Sequence, residues 1–379
     1  MKPILPELER LLDTLCERYD ADRAQVVERR HMASLNWEEV DHPPVLVSAP
    51  LAADCGFQPF PHHEIYDDAE KMLFNELVHA FDLSIVESGR IGHDLPWTVR
   101  ANFGTVLLAS MFGAHVEQVG ENPPWVRHDS GRDLSVQAIL DADPDELLRS
   151  GWLPRVAERM ETLHALLGGR PELAKAIRIT LPDLQGPFDN FDHLRGNDAF
   201  VDLIDDPDET GEALRKVAEV LVLVARRLQP LTTDGPEGCC HQHGFMLRGN
   251  ILLRCDSAIM VSPVTYREVI APHDNWVMEQ LGGGAIHSCG NIAHLVEAYM
   301  KLPALRSLDL GQSEMNDRDR LYRMAREHGV ALIRMHAGKE ELESGAFRER
   351  YPTGIEVIYR AASFDEAESL RLPKIVKHV

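Results

Sequence analysis

A (β/α)8 barrel preceded by a helical extension is the fold this sequence predicts, on three observations. Short apolar runs alternate with longer amphipathic stretches through to the C-terminus, the pattern of a parallel α/β arrangement. About eight such runs occur, the strand number of that barrel. No glycine-rich dinucleotide fingerprint and no phosphate loop supports a doubly wound open sheet instead. The 379 residues divide into a helical extension over 1–40 and a barrel over 41–379.

The elements follow in order. Residues 3–38 read as helices because Leu8, Leu11, Leu12 and Leu15 recur at helical spacing among charges. Pro43-Pro44 stops that pattern and introduces a first strand at Val45-Leu46-Val47. The remaining strand candidates are Ser84–Val86, Ala176–Thr180, Ile251–Leu253, Ala285-Ile286, Leu308–Leu310, Ala331–Ile333 and Ile355–Ile358. Between them lie helical patterns over 209–228, 263–281, 291–301 and 317–328, the first of them introduced by the acidic run Asp205-Asp206-Pro207-Asp208.

Bulk properties narrow the partners. With 61 acidic against 39 basic residues the net charge is -22, a field that repels nucleic acid and anionic lipid. Six scattered cysteines suit a reducing compartment better than a disulfide scaffold. No run approaches the roughly 18 uninterrupted apolar residues of a membrane span, and the charged N-terminus lacks the apolar core of a signal peptide. The expectation is a soluble, cytoplasmic enzyme acting on a small molecule, with neither nucleic acid nor membrane as partner.

The most informative stretch is Gly282–Asn291, which carries His287 and Cys289 one residue apart. On an extended segment residues i and i+2 leave the same side. Imidazole and thiol then form a two-pronged grip for a borderline-soft ion such as zinc. In a barrel, reactive side chains sit just past strand C-termini, and both residues follow Ala285-Ile286. Further ligands are expected from the next strand ends, where Asp309 and Glu314 offer oxygen. His336, at the end of the following strand, is expected as an acid/base group, and Asp256 as a general base or substrate clamp. Cys240, His241 and His243, in the dense Cys239–His243 cluster, read as a loop at the barrel mouth binding substrate, with Gln312 beside it.

Several of these segments together resemble the uroporphyrinogen decarboxylase superfamily. They are Arg254–Ala258, Ser262–Glu268, Ala271-Pro272-His273 and Ile286–Asn291, with Asn102-Phe103-Gly104, Ala109–Ala114, Leu184–Pro187 and Leu203–Pro207 as further pieces. The likeness spans residues 35–370 and implies the (β/α)8 fold. The family's decarboxylases carry an arginine-rich segment near the first strand, where this chain has Val45–Pro50 without arginine. The resemblance is therefore to the zinc methyltransferases, similar in metal site to cobalamin-independent methionine synthase. It implies a zinc ion on His287 and Cys289, with Asp309 or Glu314 in the carboxylate place, and methyl transfer between a corrinoid and a thiol. A corrinoid protein as partner and a homodimer are further implications. The late cysteine of those enzymes is missing from Ile355–Ser363. The alternative is a metal-independent decarboxylase or lyase of the same superfamily acting on a small or tetrapyrrole acid.

Overall fold

A computed structural model describes residues 4–128, 133–234 and 238–372, so residue 3 of the expected helical stretch lies outside the described residues. Two helices, Pro6–Arg18 and Ala21–Leu35, open the chain. The first buries Leu8, Leu11, Leu12 and Leu15 as one stripe, since residues three and four apart share a helix face. Asp20 caps the second, its carboxylate accepting from Arg23 N at 3.0 Å. Both helices share the main core with the strands. Arg30 locks the second in place, reaching Asp94 at 2.5 Å and holding Asp41 through two bonds of 3.0 Å.

The described residues form twelve strands: β1 Val45–Ser48, β2 Thr98–Arg100, β3 Val116–Glu117, β4 Trp125–Val126, β5 Arg178–Thr180, β6 Cys239–Gln242, β7 Phe245–Arg248, β8 Leu252–Arg254, β9 Gly284–Ser288, β10 Leu305–Leu310, β11 Ala331–His336 and β12 Ile355–Arg360. Six of them make one parallel sheet in the order β1-β12-β11-β10-β9-β8. The fold is thus mixed α/β around a parallel sheet. Its strands are apolar and buried almost throughout, as helices on the outside require. β2 and β5 form a separate parallel pair. The segment after β5 touches β8 through the parallel bridge Gln185–Arg254, and the segment before β2 touches β1 through Asp94 N to Val45 O at 2.9 Å.

Register places the chemistry. Arg254 of β8, His287 of β9 and Asp309 of β10 are direct neighbours across three strands. Their side chains therefore share one face. Two residues further along lie Asp256, Cys289 and Gly311. Two glycines meet where β9 begins, because a Cβ on Gly249 would sit 2.5 Å from Gly284 Cα.

Some expectations are corrected. Ser84–Val86 is not a strand. Just before it the chain reverses through a tight turn, Ala80 pairing with Leu83 while Phe81 and Asp82 both take positive φ, and Ser84 Oγ then accepts from Glu87 N. The next strand in the chain is β2, three residues long with Thr98 and Arg100 polar, too short and too polar to announce itself. Cys239–His243 is not a loop: it is mostly β6, paired with β7 in a hairpin whose two-residue turn, His243-Gly244, has φ of 51° and 79°. This hairpin packs on β9, β10 and β11. The helix expected over 291–301 shrinks to Val296–Tyr299, and that over 263–281 is interrupted by a π-helical turn at Tyr266–Ile270.

Candidate metal centre and adjoining cleft

Asp256, His287 and Cys289 each offer a ligand atom, and these atoms lie within 4.8 Å of one another, among the described residues the one such group of three. His287 Nε2 is 3.3 Å from Cys289 Sγ and 3.5 Å from Asp256 Oδ1. Asp256 Oδ1 also accepts from Cys289 N at 2.8 Å, which pins the two strand ends together. The loop carrying Asp256 is held from below: buried Asp189 accepts from the backbone N–H of Asp256 at 2.8 Å and of Ser257 at 3.1 Å.

Behind the imidazole stands a carboxylate. Asp309 Oδ2 is 2.9 Å from His287 Nδ1, and Arg334 grips the same carboxylate at 2.5 Å. Burial opposes ionisation of Asp309, but Arg334 and His287 outweigh it and hold the carboxyl below its ordinary range. Arg334 reaches inward because β11 shifts register between Leu332 and Met335, with Arg334 at φ 59°. A non-glycine residue in that region is strained, and such strain collects at functional sites. Arg334 Nη2 is also 2.6 Å from His287 Nδ1. Nδ1 cannot accept from Arg334 and donate to Asp309 at once, so two tautomers compete. Only the one donating to Asp309 frees Nε2 as a ligand.

The thiol is not ready for chemistry by itself. Burial, then the charge of Asp256, pushes Cys289 up to about 12. Burial pulls His287 down, against the pull of Asp309. A neutral imidazole, a thiol and a carboxylate meeting at one point form a nitrogen, sulfur and oxygen donor set that suits zinc.

Beside the cluster an open cleft of about 620 Å³ runs toward the ends of β2 and β5. Its floor is a buried charge network. Asp183 binds Arg100 Nη1 at 2.6 Å and Arg254 Nε at 3.1 Å, while Glu76 lies 3.8 Å from Arg100 and accepts from Asn102 at 2.9 Å. Burial would raise Asp183, yet the two guanidinium groups hold it well below the usual carboxylate value. His243, at the hairpin turn, accepts from both arginines and is kept neutral by burial and by Arg100. Phe81 stacks on His243 with centroids 3.4 Å apart and lies under Arg100.

The other expected residues fall elsewhere. Asp309 contacts the imidazole nitrogen remote from the cluster. Glu314 pairs with Arg360 at 2.9 Å and is not among the clustered ligands. His336 ends β11 outside the cluster, its backbone N–H donating to Ser313 Oγ at 2.7 Å. Gln312 Oε1 accepts from Gly290 N at 2.5 Å and so braces the turn after Cys289. Cys240 is buried in the hairpin, and burial pushes its thiol well up. His241 donates through Nδ1 to Asp234 at 2.6 Å, away from the cleft. Arg100, Asp183, Arg254 and Arg334 were not assigned from the sequence. The signal that marks the arginines is a charge inside a short strand of an otherwise apolar sheet.

No family model matches the chain, and no curated protein sequence matches it. Among the described residues no helix is long and apolar enough to cross a membrane.

Proposed function

We propose that the chain is a zinc-dependent methyltransferase on a (β/α)8 barrel, moving a methyl group between a corrinoid or related donor and a thiol. The observation that carries this reading is the convergence of His287, near the end of β9, with Asp256 and Cys289 just past the ends of β8 and β9. Three protein ligands leave one tetrahedral position for substrate, as in catalytic rather than structural zinc sites. The ion supplies acidity, so that a bound thiol is present as thiolate at neutral pH. The chain's own residues do the rest. Asp309 favours the imidazole tautomer that frees Nε2, Arg334 holds Asp309, and Asp189 holds the loop that carries Asp256. The cleft offers room for the second reactant. Ring closure is supported by the contacts that join β1 to the segment before β2 and the segment after β5 to β8.

The test is elemental analysis of purified protein joined to a transfer assay with methylcobalamin and a small thiol. One zinc per chain and thiol methylation are expected, both lost in His287→Ala and in Cys289→Ser. Full activity in metal-free protein overturns the reading.

A second reading, a metal-independent lyase acting on a small carboxylic acid, is favoured by one observation: two buried guanidinium groups, Arg100 and Arg254, line the cleft beside Asp256. Such groups recognise carboxylates, and Asp256 is placed for proton transfer. Activity on a carboxylic acid that survives chelation and is lost in Asp256→Asn would establish it.

A further inference from the structure

A second cavity, of about 200 Å³, lies at the opposite end of the strands. It opens between the first two helices and the N-terminal ends of β2 and β5, whereas the candidate metal centre lies at the C-terminal ends of β8 and β9. Nothing in the proposed methyl transfer uses it.

Its charge is opposite to that of the chain. Arg18, Arg23, Lys175 and Arg178 line it against two carboxylates, Asp20 and Glu28, in a protein of net charge -22. The opposing carboxylates are already engaged. Asp20 caps its helix, and Glu28 pairs with Arg178 at 3.2 Å. Arg18 donates to Val86 O at 2.7 Å and Arg23 to His93 O at 2.6 Å. A carbonyl oxygen satisfies an N–H but cancels no charge, so with four cationic side chains against two carboxylates the lining keeps a net positive field. In a low-dielectric recess such a field concentrates anions.

Two further observations describe the ligand. The rings of Tyr19 and Trp97, with centroids 5.4 Å apart, form an aromatic wall. His93, also in the lining, accepts from Val47 N through Nδ1 at 2.9 Å, and burial keeps it neutral by pulling it down to about 3. Its proton therefore sits on Nε2, which has no acceptor in the protein. The lining thus presents cationic donors and a flat apolar face, while its two carboxylates accept from a helix N-terminus and from Arg178. We propose that this cavity binds a small anion carrying a flat ring, its oxyanion head held by Arg18, Arg23 and Lys175 and its ring set against Trp97.

Phenyl phosphate, inorganic phosphate and benzylamine serve as probes, read by tryptophan fluorescence and by calorimetry on the full chain. Phenyl phosphate is expected to bind at one site and to change the emission of Trp97, inorganic phosphate to bind more weakly, and benzylamine not to bind. Lys175→Glu, an exposed side chain, and Arg23→Gln are each expected to weaken phenyl phosphate about tenfold. Trp97→Phe is expected to lose the fluorescence change. Binding unaltered in a folded Lys175→Glu variant, or equal affinity for benzylamine, overturns the proposal, as does the absence of any phenyl phosphate binding.

Discussion

Asp309 Oδ2 lies 2.9 Å from His287 Nδ1, on the side of the ring away from Cys289 and Asp256. The carboxylate that sequence reasoning placed on the metal is thereby set behind the ligand, where it selects a tautomer. Removing such a support lowers metal affinity by about 10–100-fold without removing a ligand. Asp309→Asn is expected to retain one zinc per chain at saturating metal but to lose it to a competing chelator at correspondingly lower concentration. Loss of all zinc binding would make Asp309 a direct ligand instead.

Gly311 offers a way to disturb the site without touching a functional side chain. A Cβ there would sit 2.7 Å from Cys289 Sγ and 3.0 Å from Cys289 Cα. Gly311→Ala must displace the thiol or the backbone that carries it. Overpacking of this kind costs about 1–3 kcal/mol, to be read from urea unfolding, and weaker zinc binding is expected alongside it in a chelator titration.

Asp183 neutralises two buried arginines at the cleft floor, with a side chain 6% exposed. Asp183→Asn removes the carboxylate the two share, and breaking a buried pair in this way costs about 3–5 kcal/mol. Its folded value is depressed, so its contribution is present above the ordinary carboxyl value of 3.8 and is lost as pH falls through the lower folded value. The acid limb of the stability profile is therefore expected to flatten in the variant, by chemical denaturation between neutral and low pH.

Asp274 runs the other way. Burial raises its carboxyl from 3.8 to about 7, against hydrogen bonds from Tyr266 and Cys255. A raised folded value contributes stability fully below the unfolded value and loses it as pH climbs to the folded one. Between about pH 4 and pH 7 the wild type is expected to lose stability from this group, by about 4 kcal/mol. Asp274→Asn cannot ionise, so the difference between the two proteins should narrow or reverse across that window. A constant difference would show that the group does not titrate there.

Much of the site was legible because β-structure turns spacing into direction. His287 and Cys289 project together for the reason that predicts it, the two-residue period of a strand. The stripe Leu8, Leu11, Leu12 and Leu15 was legible for the matching reason in a helix. Asp256 was read as a base, and its place beside His287 depends on Arg254 standing opposite His287 in parallel register, which no local pattern encodes. Arg334 was missed because its inward aim comes from a register shift in mid-strand. The β6–β7 hairpin was missed because His241 and Gln242 of its first strand are polar and yet buried, against the usual division of apolar inside and polar outside. Ser84–Val86 was misread because three apolar-flanked residues say nothing about the left-handed turn that precedes them.

That hairpin touches both cavities. Its four rungs pair Cys239 with Arg248 through to Gln242 with Phe245, so it is a stiff rod rather than a loose strap. The rung His241–Met246, close to the turn, borders the lower void, while the turn residue His243 rests on the guanidinium groups at the floor of the cleft. Along the hairpin a single rung, Gln242 with Phe245, therefore stands between the residues that face the two voids.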